Sequence, residues 1–187
     1  TPPASTDIGV YGSSSGTAVW SAGTLRVSAS GEAAGRTLTC VNASGDAVWS
    51  GAIAFRATSF NTAINAGTTT TIIYPTEVFD EGADYNPATG EFTVPESGVY
   101  TFSYTSTHQA LAAYTTGNVF TNFQVNGTSV TGSPANFEPS KVTFWNMQNT
   151  TTLKLVAGDV VTVTCSNNTN VNINANANNT FNGYKVR

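Results

Sequence analysis

The feature that most constrains the fold is the alternation of apolar and polar residues with a period of two, which recurs in short segments from Ile53 to the C-terminus. The rings of Tyr100, Phe102 and Tyr104 stand two residues apart, which places them on one face of a β-strand. A second alternating stretch is followed by Asn126-Gly127, the dipeptide most favoured in two-residue hairpin turns. The pattern therefore predicts an all-β fold of short antiparallel strands.

Eight or more such segments lie between residues 53 and 187, and turn residues separate them. This organisation indicates a sandwich or jelly roll of about ten strands. The only stretch with helical character is 108–114, which would make about two turns. The chain carries ten Phe, seven Tyr and three Trp residues. Burying each ring contributes roughly 1.5–3 kcal/mol, so we expect a packed core.

Charge and composition exclude several classes of partner. Charged residues make up 10% of the chain, the net charge is −4, and the seven Lys and Arg residues form no cluster. Such a chain lacks the basic surface that binds nucleic acid or an anionic membrane. No apolar run approaches the roughly 20 residues of a membrane span. A Thr/Asn/Gly-rich, Lys-poor composition is typical of secreted and surface proteins, which predicts an extracellular location.

The first 52 residues contain a short repeat. The sequence at 16–21 recurs at 45–50 with one difference, Asp46 in place of Thr17, and Trp20 and Trp49 stand at the same place in each copy. Repeats of this kind pack on neighbouring repeats or on other chains, so we interpret 1–52 as a stalk or linker. A chance recurrence in a Gly/Ser/Ala-rich linker is the alternative. Cys40 and Cys165 lie in different modules, which disfavours an intrachain disulfide and leaves Cys40 as a candidate interchain thiol.

Residues 53–187 resemble the globular domain of complement component 1q, whose jelly roll is shared with tumour necrosis factor. Five sequence blocks in the family's order carry the resemblance. They are Ala54-Phe55-Arg56-Ala57, 85–95 (YNPATGEFTVP), Gly98-Val99-Tyr100-Thr101-Phe102, 153–161 (LKLVAGDVV) and Phe181-Asn182-Gly183-Tyr184. The N-terminal segments 23–27, 36–40 and 45–49 are similar to a linker found in bacterial surface and fibre proteins.

The resemblance implies a homotrimer whose heads associate about a threefold axis through an apolar, aromatic-rich face, with stalks leaving from one end. It does not by itself name a ligand. The aromatic residues that we assign to the core or the trimer contact are Phe55, Tyr100, Phe102, Tyr104, Phe181 and Tyr184.

An unusual segment at 169–178 alternates Asn with Val, Ile or Ala. In a strand, Asn170, Asn172, Asn174 and Asn176 would form a ladder of amides on one face. Neutral donors and acceptors in a row could bind carbohydrate hydroxyls. Alternatively, the amides satisfy one another, or the strand is an uncharged sheet edge that a neighbouring subunit covers.

Asp80, Glu81 and Asp84 precede the second family block and could help to hold calcium, as some relatives do. A solvated acidic loop is the alternative, and the sequence establishes no cofactor. His108, the sole histidine, lies in no recognisable catalytic motif, so we interpret it as a loop residue and predict that the protein is not an enzyme.

These observations lead to one main functional hypothesis and two rivals. The main hypothesis is a non-catalytic, trimeric extracellular head for adhesion or ligand recognition at the tip of a surface or fibre protein. Its partners would be two further copies of the chain and a carbohydrate or protein ligand, with no nucleic acid and no membrane insertion. The rivals are a purely structural trimerisation domain and a lectin-like carbohydrate-binding module.

Overall fold

The computed structural model describes residues 35–40, 43–44, 46–58, 62–112, 116–130, 132, 135–137, 144–176 and 179–186. Within these ranges the chain forms strands, turns and bends, and no helix. The strands are β1 (Thr37–Cys40), β2 (Ala47–Ser50), β3 (Ala54–Thr58), β4 (Thr62–Ile64), β5 (Thr68–Thr71), β6 (Thr76–Asp80), β7 (Tyr85–Asn86), β8 (Glu91–Thr93), β9 (Gly98–Ala110), β10 (Val119–Val125), β11 (Thr128–Ser129), β12 (Ala135–Phe137), β13 (Phe144–Leu155), β14 (Val160–Asn167), β15 (Ile173–Ala175) and β16 (Thr180–Lys185).

Two antiparallel sheets of seven strands each form a sandwich. In the first sheet the order is β4-β15-β9-β16-β3-β6, and β13 pairs with the other side of β9. In the second sheet the order is β11-β10-β14-β8-β7, with β12 also on β10 and β5 on β14. The predicted all-β antiparallel jelly roll is confirmed. The strand count exceeds the predicted ten because two-residue strands such as β7 and β11 count separately.

The core lies between the two sheets and is filled by the inward-pointing residues of each strand. In β9, Tyr100, Phe102 and Tyr104 are buried, while the residues between them point to the outer face of the sheet. Phe102 packs on Phe123 of the second sheet with ring centroids 6.4 Å apart, and on Phe181 of β16 at 6.2 Å. The sequence alternation therefore predicted the inward face of β9 correctly.

Gly183 allows two of these rings to approach the backbone of β16. A Cβ at this position would lie 2.4 Å from Cδ1 of Phe102 and 2.9 Å from Cε1 of Phe55. Phe55 is itself stacked on Tyr85 and Phe92, with centroid distances of 4.9 and 4.8 Å. The rings thus have little room to move away, and only glycine fits this position.

One sandwich buries many of the aromatic rings. The buried aromatic residues are Phe55, Tyr74, Tyr85, Phe92, Tyr100, Phe102, Tyr104, Phe123, Trp145 and Phe181. These ten rings are therefore core residues and need no subunit contact to be buried. Among the described aromatic side chains, Phe79, Phe144 and Tyr184 are the strongly exposed ones. Tyr184, which we had grouped with core or trimer-contact residues, lies on the outer face of β16.

The segment 108–114 is not helical in its described part, and His108 is not a loop residue. His108 and Gln109 continue β9, because β13 pairs with β9 as far as Gln109 and β15 pairs with residues 108–110. Residues 111–112 then form a bend, and Tyr114 lies outside the described residues. Backbone partners on both sides favour a strand here, and a local sequence pattern does not report such partners.

Asn126 and Gly127 make the predicted turn between β10 and β11. Their φ angles are 51° and 76°, and two positive values are what a type I′ turn requires. The Asn126 Nδ2 donates to Asp159 Oδ1 over 2.8 Å, and its Oδ1 accepts a hydrogen bond from Val160 N over 2.9 Å. Hydrogen bonds from the Val156 N–H and from Asn126 hold the pKa of Asp159 below its usual value.

The N-terminal part of the described chain is a two-stranded hairpin, β1–β2. Its second strand contains Trp49 from the second copy of the repeat, whereas the first copy, with Trp20, lies outside the described residues.

Cys40 is exposed in β1, Cys165 is buried in β14, and no disulfide joins them. No helix within the described ranges has the length and apolar character to cross a bilayer.

Candidate functional site

The outer face of the first sheet carries a continuous set of neutral side chains, which we call the outer array. It is formed by eleven outward-pointing residues of β9, β16 and β13, all of which are half-buried or exposed. Two exposed cations border it: Lys154 of β13, beside Val99, and Arg56 of β3, beside Asn182. The outer array consists of Thr101, Ser103, Thr105 and Thr107 of β9, Thr180, Asn182 and Tyr184 of β16, and Asn146, Gln148, Thr150 and Thr152 of β13.

Hydrogen bonds between neighbouring strands order the outer array. Thr101 Oγ1 lies 3.0 Å from Thr152 Oγ1, and Thr105 Oγ1 lies 2.9 Å from Thr180 Oγ1. Ser103 Oγ donates to Asn182 Oδ1 over 3.1 Å. Asn146 Nδ2 likewise donates to Thr107 Oγ1 over 2.9 Å. Each hydroxyl of β9 therefore has a partner before any second molecule approaches.

The outer array was not predicted from the sequence, although its signal is present there. Thr101, Ser103, Thr105 and Thr107 occupy the positions between the inward-pointing residues of β9. We used the inward residues to predict a strand and gave the outward ones no role. Only the register between β9 and β13 shows that a second row of neutral side chains lies beside the first.

The first part of the Asn-rich segment, residues 169–172, lies at one end of the sandwich, which we call the tip. The tip comprises the turn at 65–67 and the residues 116–118 and 168–172. Asn167, at the end of β14, is buried and organises the tip. Its Nδ2 donates to Val171 O over 2.9 Å and to Ile64 O over 3.3 Å. Its Oδ1 accepts hydrogen bonds from the backbone N and the Oγ1 of Thr169, over 3.1 and 2.7 Å. From the sequence, Asn167 was not assigned a structural role.

The four predicted asparagines do not form one ladder. Asn170 is exposed at the tip, and the exposed Asn172 accepts a hydrogen bond at Oδ1 from Ala66 N over 2.9 Å. Asn174 and Asn176 are half-buried beside the tip-side end of the outer array, where Asn176 N donates to the backbone of β9 over 2.8 Å. The strand β15 has three residues and lies between β4 and β9, so the predicted long strand and uncovered edge are wrong.

Asp80, Glu81 and Asp84 lie at the opposite end, the base, where β3 begins and β16 ends. Asp80 uses its carboxylate locally, accepting hydrogen bonds from Tyr85 N over 2.9 Å and from Gly82 N over 3.3 Å. Partial burial, with the charges of Asp80 and Glu96, raises the pKa of Asp84.

These acidic residues do not fit a calcium site. No three His, Cys, Asp or Glu side chains in the described ranges are arranged to hold a metal ion, and calcium needs six to eight oxygen ligands.

His108 is fully buried and stacks on Trp145, with ring centroids 5.8 Å apart. Its Nε2 lies 2.8 Å from Ser106 Oγ and 3.5 Å from Thr121 Oγ1, and its Nδ1 has no hydrogen-bond partner in the described structure. Burial lowers the pKa of His108 to about 4, so the imidazole is neutral at pH 7. A neutral imidazole enclosed in this way is a core residue and is not placed to exchange protons with a substrate.

Comparisons with known proteins agree with this architecture. The sequence profile of the C1q domain matches residues 54–186. Among solved structures, the globular domain of zebrafish complement 1qA protein matches with a TM-score of 0.55 and 19% identity, over 72% of this chain and 98% of that one. Murine APRIL matches with a TM-score of 0.53 and 12% identity, over 72% of this chain and 99% of that one. No curated protein sequence matches the chain.

At these identities the solved structures establish the fold, and the sequence profile establishes the family. C1q-like domains are generally non-enzymatic and typically extracellular. Together with tumour-necrosis-factor-like domains, they typically form trimers and bind protein ligands. The jelly-roll sandwich and the match across residues 54–186 lead to one conclusion: the chain belongs to the C1q domain family.

Proposed function

We propose that the chain is a non-catalytic, homotrimeric head of an extracellular surface or fibre protein. Residues 53–187 would form the head and residues 1–52 the stalk or linker that enters at the base. The head would recognise a carbohydrate or protein ligand at the tip, with a role in adhesion. The observation that carries the proposal is the ordered, uncharged outer array.

The outer array is suited to burial against another copy of the chain. Burying a polar group costs free energy unless it is hydrogen-bonded, and burying an unpaired charge costs considerably more. The hydroxyls of β9 are already hydrogen-bonded to side chains of β13 and β16, and none of the eleven side chains is charged. The centres of protein interfaces are depleted in charge in the same way. Self-association through this face would therefore desolvate few unsatisfied groups.

The composition of the tip favours a neutral ligand. Its residues at 65–67, 116–118 and 168–172 include five asparagines and two threonines and no charged side chain. Amides and hydroxyls match the hydroxyl groups of a carbohydrate, which makes the lectin-like module the second candidate function. Three tips on one trimer would also bind a repetitive surface by avidity. A purely structural trimerisation domain would leave the tip without a ligand.

Light scattering on the intact chain tests the assembly. We expect a mass near three times the 19.4 kDa of one chain. The double variant Gln148→Lys/Thr150→Lys adds cations to exposed positions of the outer array and should give the mass of one chain. The matched control is Thr93→Lys, at an exposed position of the second sheet, which should remain trimeric. A wild-type chain that stays monomeric at every concentration would refute the proposal.

Binding of the intact chain to a panel of immobilised glycans tests the role of the tip. Asn170→Ser removes an exposed amide at the tip and should abolish glycan binding while leaving the mass unchanged. Gln124→Ser, on the outer face of β10, is the control that should keep binding. A trimer that binds no glycan and no surface protein would support the purely structural role.

A further inference from the structure

The hairpin β1–β2 leaves most of its side chains exposed. All four residues of β1 are exposed, and in β2 only Trp49 and Ser50 are half-buried. Leu38 is 41% exposed and Val48 is 48% exposed. A two-stranded hairpin alone is marginally stable in water, and three or more strands or a packing partner are needed for an independent fold. Pro95 and Glu96 of the head line a cleft with Val48 and Trp49, so the head covers the hairpin in part and leaves Leu38 and Val48 exposed to the extent given.

Apolar side chains occur on both faces of the hairpin. Leu38 pairs with Trp49, and Thr39 pairs with Val48. Paired residues of antiparallel strands point to the same face, and successive residues of one strand point to opposite faces. Leu38 and Trp49 therefore occupy one face and Val48 the other. A hairpin with apolar residues on both faces needs two neighbours to bury them.

The hairpin also continues the outer array at the base. Tyr184, the array residue nearest the base, is 49% exposed, and Val186 beyond it is 53% exposed. Val186 lines a cleft of about 280 Å³ together with Thr37 and Thr39 of β1. The surface from the outer array to the hairpin is thus continuous through this cleft, which also contains Lys185 and Glu96 as an ion pair at 2.7 Å.

We infer that the hairpins of three copies of this chain pack against one another below the heads, so that the assembly interface extends from the outer array into a neck. In a cyclic trimer each subunit contacts its neighbours through two different patches, and the two apolar faces of the hairpin provide them. Residues 35–52 carry one cation, Arg36, and one anion, Asp46, so the copies have no net charge to separate them. The inference rests on the proposed trimer.

Distances between nitroxide labels on Cys40 test the neck in the full-length chain. Cys40 is exposed in β1, whereas Cys165 is fully buried and its burial raises the thiol pKa to about 12, so labelling is selective. Packed sheets lie roughly 10 Å apart, so pulsed electron paramagnetic resonance should show a narrow distribution of interchain distances below about 25 Å. The variant Leu38→Lys/Val48→Lys should lose this short distance and keep the trimer mass. Thr93→Lys should change neither.

The outcomes separate this inference from the proposed function. A trimeric mass with broad or long Cys40 distances would overturn the neck and leave the trimeric head intact. The same result with an immobile label would show that the hairpin docks on its own head or on another partner, which also overturns the neck. A monomeric mass would overturn the proposed trimer together with the neck.

Discussion

Acidification should destabilise the folded protein through His108. The imidazole is fully buried against Trp145, and its nearest polar neighbours are the hydroxyls of Ser106 and Thr121. A proton added there would create a buried charge without a carboxylate among these neighbours. The unfolded chain binds the same proton in water without this penalty.

The pKa values give the size and sign of the effect. Burial lowers the pKa of His108 from 6.5 to about 4. Between these values the unfolded chain binds more protons than the folded chain, so the free energy of unfolding falls as the pH falls. The full contribution is present above pH 6.5 and decreases by about 1.4 kcal/mol per pH unit down to pH 4, a total of about 3 kcal/mol.

Urea unfolding followed by tryptophan fluorescence, at pH values from 8 to 4 and a fixed protein concentration, measures the effect. The variant His108→Gln places a neutral amide at this position, which cannot titrate in this range. From pH 7 to pH 4 we expect the free energy of unfolding of the wild type to fall by about 3 kcal/mol more than that of the variant. Asp84, whose raised pKa favours folding as the pH falls, is present in both proteins and cancels.

Two results would refute this reasoning. The first is a pair of parallel stability curves, which would mean that His108 gains its proton as easily in the folded state as in the unfolded state. The second is a folded-state NMR titration of the imidazole with a midpoint near 6.5, because burial would then have no effect on the pKa. Lower stability of the variant at pH 7 alone would not bear on the argument, since it reports lost packing.

Three further predictions concern single positions. Gly183→Ala should lower the free energy of unfolding by about 1–3 kcal/mol, because its Cβ would lie 2.4 Å from the Phe102 ring, and unchanged thermal unfolding would contradict this. Asn126→Ala should cost about 1–3 kcal/mol in urea unfolding, since it removes hydrogen bonds of 2.8 and 2.9 Å and a residue suited to positive φ. Cys165, buried with its thiol pKa raised to about 12, should resist alkylation at pH 8 until the protein unfolds, while Cys40 reacts at once; mass spectrometry of the folded protein decides this.

Local patterns predicted the features that depend on neighbouring residues in the chain. The alternation of Tyr100, Phe102 and Tyr104 predicted a strand and its inward face. The dipeptide Asn126-Gly127 predicted a two-residue hairpin turn, and few other residue pairs adopt the two positive φ angles found there. The order of short motifs from residue 54 to residue 186 also led to the correct family.

The same patterns misled where distant strands decide the conformation. His108 looked like a loop or helix residue, yet pairing with β13 and β15 extends β9 through it. The Asn-rich segment looked like one long strand, but only Ile173–Ala175 has strand partners. Hydrogen bonding to distant segments leaves no periodic signal in the segment itself.

The sequence alone determined the all-β class, the family and the aromatic residues available for a core, since these depend on residue types and their spacing. Only the tertiary structure decided which surfaces these residues create. The outer array exists because the register aligns Thr101 with Thr152 and Thr107 with Asn146, across more than thirty residues of chain. Register follows from the simultaneous fit of side chains between two sheets. That fit is a property of the whole fold, so no single segment encodes it.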